Sequence, residues 1–208
     1  METLLQQADR MQKDAWKIIE ETRIISIWQE IGATINLIGS LKTGLMINHR
    51  DIDFHIYTDP FILQDSFRAI AQIAEHSRIK TVQYTNLLDA EDRCIEWHAT
   101  FTDNRQQTWQ IDMIHILADS PYAGYFERVS ERILAALTPE STAAILRIKM
   151  ETAASAKIPA ISIYQAVLQE HITDTDHFMR WYADHQQEGV QHWMPEENQP
   201  FSCSKDQL

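Results

Sequence analysis

The stretch that decides the fold runs from Gly39 to Phe54 and reads GSLKTGLMINHRDIDF. The residues just before it, Thr34–Ile38, are mostly apolar or β-branched and predict a short buried strand. Glycine lets a ligand approach the backbone, and the Ser40 hydroxyl can donate to a phosphate oxygen. We therefore predict that this strand delivers Gly39 and Ser40 into a tight, ligand-facing turn.

Two aspartates follow this turn at strand spacing. Residues 51–57, DIDFHIY, alternate with period two and predict a second strand. Since side chains at i and i+2 point the same way, Asp51 and Asp53 share one face, with Cα atoms about 6.6 Å apart. Both carboxylates can then converge on one hard cation or on a pair of them.

A third aspartate, Asp112, lies within a later apolar strand pattern, where an unpaired charge would be costly. Three carboxylates about 5 Å apart would repel each other by roughly 3 kcal/mol per pair at an effective dielectric of 20. Such a cluster is hard to explain as ordinary stabilisation. A cation such as Mg²⁺, or Mn²⁺ in its place, resolves the repulsion because it takes oxygen ligands.

Elsewhere the pattern predicts a hairpin and several helices. Residues 93–102 and 108–117 flank turn residues at 103–105 and predict an antiparallel hairpin. Apolar spacing predicts one long helix over 3–31, kinked near Arg23 and stopped by Gly32, and another from Pro60 to about Glu75. Four more helices are predicted after Ser120, over residues 122–137, 139–156, 161–171 and 175–185. The fold class is therefore α+β, with a mixed β-sheet flanked by helices and followed by a helical C-terminal region.

These elements divide the chain into three parts. We expect an α/β core over residues 1–118, a helical C-terminal region over 119–194 and a polar, disordered tail over 195–208. The apolar faces of the C-terminal helices suit a core or an interface equally, so the oligomeric state stays open.

Charge narrows the partners. The 208 residues include 18 Lys and Arg against 30 Asp and Glu, which gives a formal net charge of −12. Because nucleic-acid affinity comes largely from basic side chains, this charge argues against a long nucleic acid as the main partner. No apolar run approaches the roughly 20 residues that cross a bilayer, and no secretory signal is recognisable. We therefore expect no membrane partner and a cytoplasmic location, with Cys94 and Cys203 as reduced thiols.

The ordered set of motifs resembles a known family. Gly39-Ser40, ten intervening residues, Asp51-x-Asp53 and a later strand aspartate at Asp112 are similar to the nucleotidyltransferase-fold superfamily, which contains DNA polymerase beta and the antibiotic nucleotidyltransferases. The resemblance covers about residues 34–117. One departure is that family members often carry arginine where this chain has Thr43.

The resemblance implies a two-metal site for phosphoryl transfer. Asp51 and Asp53 would bridge the metals and a nucleoside triphosphate, while Asp112 would bind the second metal and help to activate an acceptor hydroxyl. Ser40 would hold a phosphate oxygen at the approach that Gly39 permits. The further candidates for nucleotide contacts are Lys42, Arg50 and Lys149.

The function implied is therefore transfer of a nucleoside monophosphate from a nucleoside triphosphate to a hydroxyl on a small-molecule or protein acceptor. The alternative is a catalytically silent module that binds nucleotide or metal, for example one partner of a two-component stress module. Several individual residues also have a structural interpretation. His55 could line the site or be a satisfied strand histidine, and Lys149 could simply lie at a partly buried helix edge.

Overall fold

The five strands form one mixed sheet. The computed structural model describes residues 2–154, 158–186, 189 and 191–197. Its strands lie in the order β1-β2-β5-β4-β3, and only β2 and β5 pair in parallel. The bounds are Thr34–Ile38 for β1, Asp51–Tyr57 for β2, Ile79–Leu87 for β3, Cys94–Thr102 for β4 and Thr108–Ile116 for β5. The predicted α+β class, the two strands around the Gly-Ser turn and the hairpin of β4 and β5 are confirmed.

Eight helices are seen in the described ranges. They are α1 Leu4–Thr22, α2 Ile24–Glu30, α3 Gly39–Thr43, α4 Leu63–Ala74, α5 Tyr125–Ala136, α6 Pro139–Glu151, α7 Ala160–Leu168 and α8 Thr175–Asp184. The four predicted C-terminal helices are thus present, although α6 ends before residue 156, which itself falls outside the described residues. Within those ranges no helix is long and apolar enough to cross a membrane.

The prediction of a single kinked helix over residues 3–31 is wrong. Arg23 adopts a left-handed backbone with φ 54°, and its N–H closes α1 by donating to the Glu20 carbonyl. The chain therefore breaks fully into α1 and α2 instead of bending. This break lets Ile19 of α1 and Trp28 of α2 enter the same core cluster beneath the sheet.

Strand β3 has no counterpart among the predicted elements. It is one of the two edge strands of the described sheet, it pairs with β4, and its register shifts between Ile79 and Thr81. Most of its side chains are exposed or half-buried, so the sequence lacks the alternation that identifies a strand with one buried face.

Two apolar clusters hold the molecule together. The first lies between one face of the sheet and α1, α2 and α4, around Trp28, Phe54 and Trp109. The second joins the C-terminal helices to Leu45 and Ile47, which precede β2. The helical region thus packs directly on the loop between the Gly-Ser turn and the Asp-x-Asp strand. The division near residue 118 stays a prediction, and residues 198–208 of the predicted tail lie outside the described residues.

Helix α6 begins at a complete capping box, so a substitution there measures how much the cap contributes to the free energy of unfolding. The Thr138 hydroxyl accepts from the Ser141 N–H at 3.2 Å, and the Thr138 N–H donates to the Ser141 hydroxyl at 2.9 Å. We expect Thr138→Ala to lower the free energy of unfolding by about 1 kcal/mol because the first-turn N–H groups lose their acceptor. Urea unfolding measures this loss. Thr138→Ser keeps the acceptor and serves as the control, so equal losses in both variants would contradict the role of the cap.

Candidate active site

The Gly-Ser turn packs against the second aspartate. Gly39 has φ +69°, and a Cβ placed on it would lie 2.4 Å from Oδ2 of Asp53. The β1–β2 register pairs Ile38 with Asp53, so the end of β1 brings the turn onto the carboxylate. The Thr43 hydroxyl donates to the Gly39 carbonyl at 3.1 Å and closes the short helix α3 over the turn. Only glycine satisfies both the backbone angle and this approach.

The parallel pairing of β2 with β5 places Asp53 directly beside Asp112. Asp51 lies two residues earlier on the same face of β2. Burial, followed by the charges of Asp112 and Asp51, raises the pKa of Asp53 to about 7, although the charge of Lys149 acts in the opposite direction. The structure therefore brings the three predicted carboxylates to neighbouring positions on one sheet face.

Asp112 is held by two side chains that the sequence analysis did not single out. Its Oδ1 accepts from His98 Nδ1 at 2.7 Å and from Gln110 Nε2 at 3.0 Å. Burial would lower the pKa of His98, but the hydrogen bond and charge of Asp112, followed by those of Glu96, raise it. The predicted hairpin could have identified His98, because the β4–β5 register pairs residue 98 with residue 112.

Lys149 reaches the site from α6. Its side chain is buried, and Nζ donates to the Leu45 carbonyl at 2.7 Å and lies 3.5 Å from the Tyr164 hydroxyl. Burial lowers the pKa of Lys149 to about 8, although the charges of Asp51 and Asp53 oppose that shift. The Asn48 amide donates to the Lys149 carbonyl at 2.7 Å, so the loop and α6 hold each other in place.

A cavity of about 540 Å³ opens from these groups toward the C-terminal helices. Its polar end contains Ser40, Asp51, Asp53 and Lys149. The opposite wall is largely apolar and comes from helices α5 and α7 and the segment after α8, including Phe126, Val129, Ile161 and Trp193. This volume is typical of small-molecule sites, in which a few polar groups orient a ligand against an apolar wall.

Other predicted residues lie elsewhere. Lys42, Arg50 and Asp112 are not among the described residues that line the cavity. Lys42 is exposed on α3, and the Arg50 carbonyl accepts from the Gln110 N–H at 2.8 Å in the strand ladder. His55 is buried, and its Nδ1 lies 3.2 Å from Oε2 of Glu127 on α5, which matches its structural interpretation.

The donor chemistry of the cavity suits a divalent cation. Asp51 and Asp53 offer carboxylate oxygens, and burial together with the neighbouring negative charges raises the pKa of Asp53. Mg²⁺ and Mn²⁺ prefer such ligands. In the described part of the chain, however, no three His, Cys, Asp or Glu side chains are already arranged around a metal position. The two cavity carboxylates are therefore the type of ligand that a divalent metal prefers, whereas Asp112 accepts a hydrogen bond from His98.

Comparison with known proteins supports the fold. No protein-family model and no curated protein matches the chain. Among solved structures, the Cid1 poly(U) polymerase bound to MgGTP matches with a TM-score of 0.56 and 14% identity, covering 77% of this chain and 50% of that one. A Cid1 structure described for RNA terminal uridylyl transferase activity matches with 0.54 and 15%, covering 79% and 48%. The GLD-2/RNP-8 complex matches with 0.54 and 9%, covering 76% and 54%.

These similarities show the fold of the chain. The chain has the nucleotidyltransferase fold of DNA polymerase beta-like proteins, as the motifs predicted. It spans about half the length of the solved structures it matches.

The Gly39–Asp53 contact can be tested by comparing two glycines. Gly32 also has a positive φ, of +82°, but a Cβ there would meet nothing within 4 Å. Gly32→Ala and Gly39→Ala therefore share the backbone strain, and only Gly39→Ala must also displace Asp53. We expect Gly39→Ala to cost on the order of 1 kcal/mol more in urea unfolding. In an Asp53→Ala background the two glycine substitutions should cost the same, and a persistent difference there would contradict this contact.

The charge on Asp53 predicts a pH dependence. Its folded pKa of about 7 lies above the ordinary 3.8, so its stabilising contribution is complete below pH 4 and is lost as the pH rises through 7. Asp53→Asn does not titrate, so its advantage over the parent should grow between pH 4 and 7 by up to about 1.4 kcal/mol per unit. Urea unfolding with a chelator measures this advantage. A difference that does not change with pH would contradict the burial of an uncompensated charge.

Proposed function

We propose that the chain is a metal-dependent nucleotidyltransferase that transfers a nucleoside monophosphate from a nucleoside triphosphate to a hydroxyl acceptor. The observation that carries this proposal is the contact of the Gly39-Ser40 turn with Asp53 at the polar end of the cavity. A half-buried carboxylate beside two others is unfavourable without a counter-charge, and a function that needs a cation there accounts for it.

The cavity suits the phosphate donor. Ser40 can donate a hydrogen bond to a phosphate oxygen, and the Lys149 ammonium supplies a positive charge at the same end. Asp51 and Asp53 would hold Mg²⁺ or Mn²⁺, which stabilises the charge on the transferring phosphoryl group when it is bound. Lys42 and Arg50 are not among the described residues of the cavity wall, so their contacts with a triphosphate stay a prediction.

Asp112 suits the acceptor side because it neighbours Asp53 and is not among the described residues of the cavity wall. Asp112 would bind the second metal ion, and its ionised carboxylate can accept the proton of a hydroxyl as it attacks. The proposed acceptor is a small molecule or a protein side chain, since the net charge of −12 opposes a long polyanion. Cid1, which resembles this chain in fold, is described as an RNA terminal uridylyl transferase, so a short RNA end is the comparison substrate to test.

A silent nucleotide- or metal-binding module is the second candidate. The observation in its favour is that Asp112 already accepts hydrogen bonds from His98 and Gln110. Such a module would keep Asp51 and Asp53 in the cavity and bind metal and nucleotide without turnover. A regulatory role, as in a two-component stress module, would follow from that binding.

Thermal unfolding with each of the four ribonucleoside triphosphates, with and without Mg²⁺ or Mn²⁺, tests the first step. We expect metal alone to raise the melting temperature because it neutralises the carboxylates, and metal with nucleotide to raise it further because the complex binds only the folded chain. Asp53→Asn should abolish the joint shift, whereas Asp89→Asn, which changes an exposed aspartate, should keep it. No shift in the parent with millimolar metal would contradict the proposed metal site.

Transfer of labelled nucleotide to small hydroxyl compounds, proteins and short RNA tests the second step. Asp53→Asn and Asp112→Asn should each lower turnover by roughly 100-fold or more while the chain stays folded. Metal and nucleotide binding without transfer to any acceptor would favour the silent module instead.

A further inference from the structure

One hydrogen-bonded group near the carboxylates has no role in the proposed reaction so far. His98 on β4 lies opposite Asp112 on β5, and its Nδ1 is 2.7 Å from Oδ1 of Asp112. Its Nε2 is 3.4 Å from Oε2 of Glu96, two residues earlier on the same strand. The imidazole is therefore fixed at both nitrogens, between one acidic side chain on each of two neighbouring strands.

We propose that His98 is a positioning residue for Asp112, and this inference rests on the proposed function. An ionised carboxylate only accepts hydrogen bonds, so Nδ1 carries the proton in this contact and holds Oδ1. Fixing Oδ1 sets the plane of the carboxylate and the direction of Oδ2. The acceptor hydroxyl and a metal would then meet a carboxylate of fixed orientation instead of one free to rotate.

His98 suits this role better than Gln110, the other side chain on Asp112. Gln110 is exposed, and its amide bridges Oδ1 and Oδ2 at 3.0 and 3.2 Å, which are longer contacts than that of His98. The His98 side chain is only 28% exposed and is rigid beyond χ2. Its strand neighbours Trp97 and Ala99 are buried on the opposite face, so the backbone that carries the imidazole is anchored in the core.

The position of His98 also allows the effect of a substitution there to be distinguished from an effect on nucleoside triphosphate binding. His98 is not among the described residues that line the cavity, whereas Ser40, Asp53 and Lys149 are. A substitution at His98 should therefore change the use of the acceptor hydroxyl and the metal position at Asp112. It should leave the binding of the nucleoside triphosphate in the cavity unchanged.

The test compares His98→Ala with His98→Asn, in which the side-chain amide can still donate near the place of Nδ1. We expect His98→Ala to lower kcat by about 10–100-fold and to weaken Mn²⁺ binding in calorimetry by a similar factor. At saturating Mn²⁺, the nucleotide KM and the nucleotide-induced melting shift should match those of the parent. His98→Asn should recover most of both losses, and urea unfolding of each variant verifies that the chain is folded.

Four outcomes would overturn the inference. They are an unchanged kcat in His98→Ala, an equal loss in His98→Asn, a nucleotide KM that rises in step with the fall in kcat, and tighter Mn²⁺ binding in His98→Ala, which would make His98 a competitor of the metal. If the parent binds Mn²⁺ and transfers nucleotide to no hydroxyl, the proposed function fails, and the Mn²⁺ affinities of the two variants still decide the role of His98. A parent that neither binds Mn²⁺ nor transfers nucleotide overturns both.

Discussion

The structure depends on one constraint, the burial of the Asp53 carboxylate at the parallel pairing of β2 and β5. That pairing puts Asp53 next to Asp112, and the end of β1 brings Gly39 to within van der Waals contact of the same carboxylate. Charge repulsion and desolvation both act against this arrangement, and burial with neighbouring charges raises the pKa of Asp53 to about 7. Three neighbouring acids do not favour stability, so the surrounding elements must compensate for their charges and their desolvation.

The C-terminal helices provide much of the compensation for these acids. Leu45 and Ile47 belong to the apolar cluster of the helical region, so the loop that leads into β2 is anchored on the side away from the sheet core. Lys149 extends from α6 to the Leu45 carbonyl and places its charge within reach of Asp51 and Asp53. The helices are therefore more than an addition to the α/β core, because they supply both the wall of the cavity and the cation that partly offsets its acids.

Features that depend on the local sequence pattern could be predicted from the sequence. Features that depend on the register between strands or on tertiary packing could not. Strands β1 and β2 follow from their apolar and alternating residues, and the Asp51–Asp53 pair follows from strand spacing alone. The break at Arg23 requires a left-handed residue that no glycine or asparagine marks, and the edge strand β3 buries too little to alternate. Lys42 and Arg50 lie close to the Gly-Ser turn in sequence, but tertiary packing sets the direction of their side chains, and neither lines the described cavity. His98 could have been found only by extending the hairpin register from its turn to Asp112.

The neighbouring carboxylates of the site have two different surroundings. Helices α3 and α5 pack over β1 and β2, so Asp51 and Asp53 face a cavity with an apolar wall. Asp112 instead shares its surroundings with the polar side chains of β4 and β5, including His98 and Gln110. A nucleotide in the cavity would meet the acids from the helical side, and an acceptor would meet them from the sheet. Under the proposed function, residues of the helical region would select the base, and the polar face of β4 and β5 would select the acceptor. The two specificities could then change independently through substitutions in different parts of the chain.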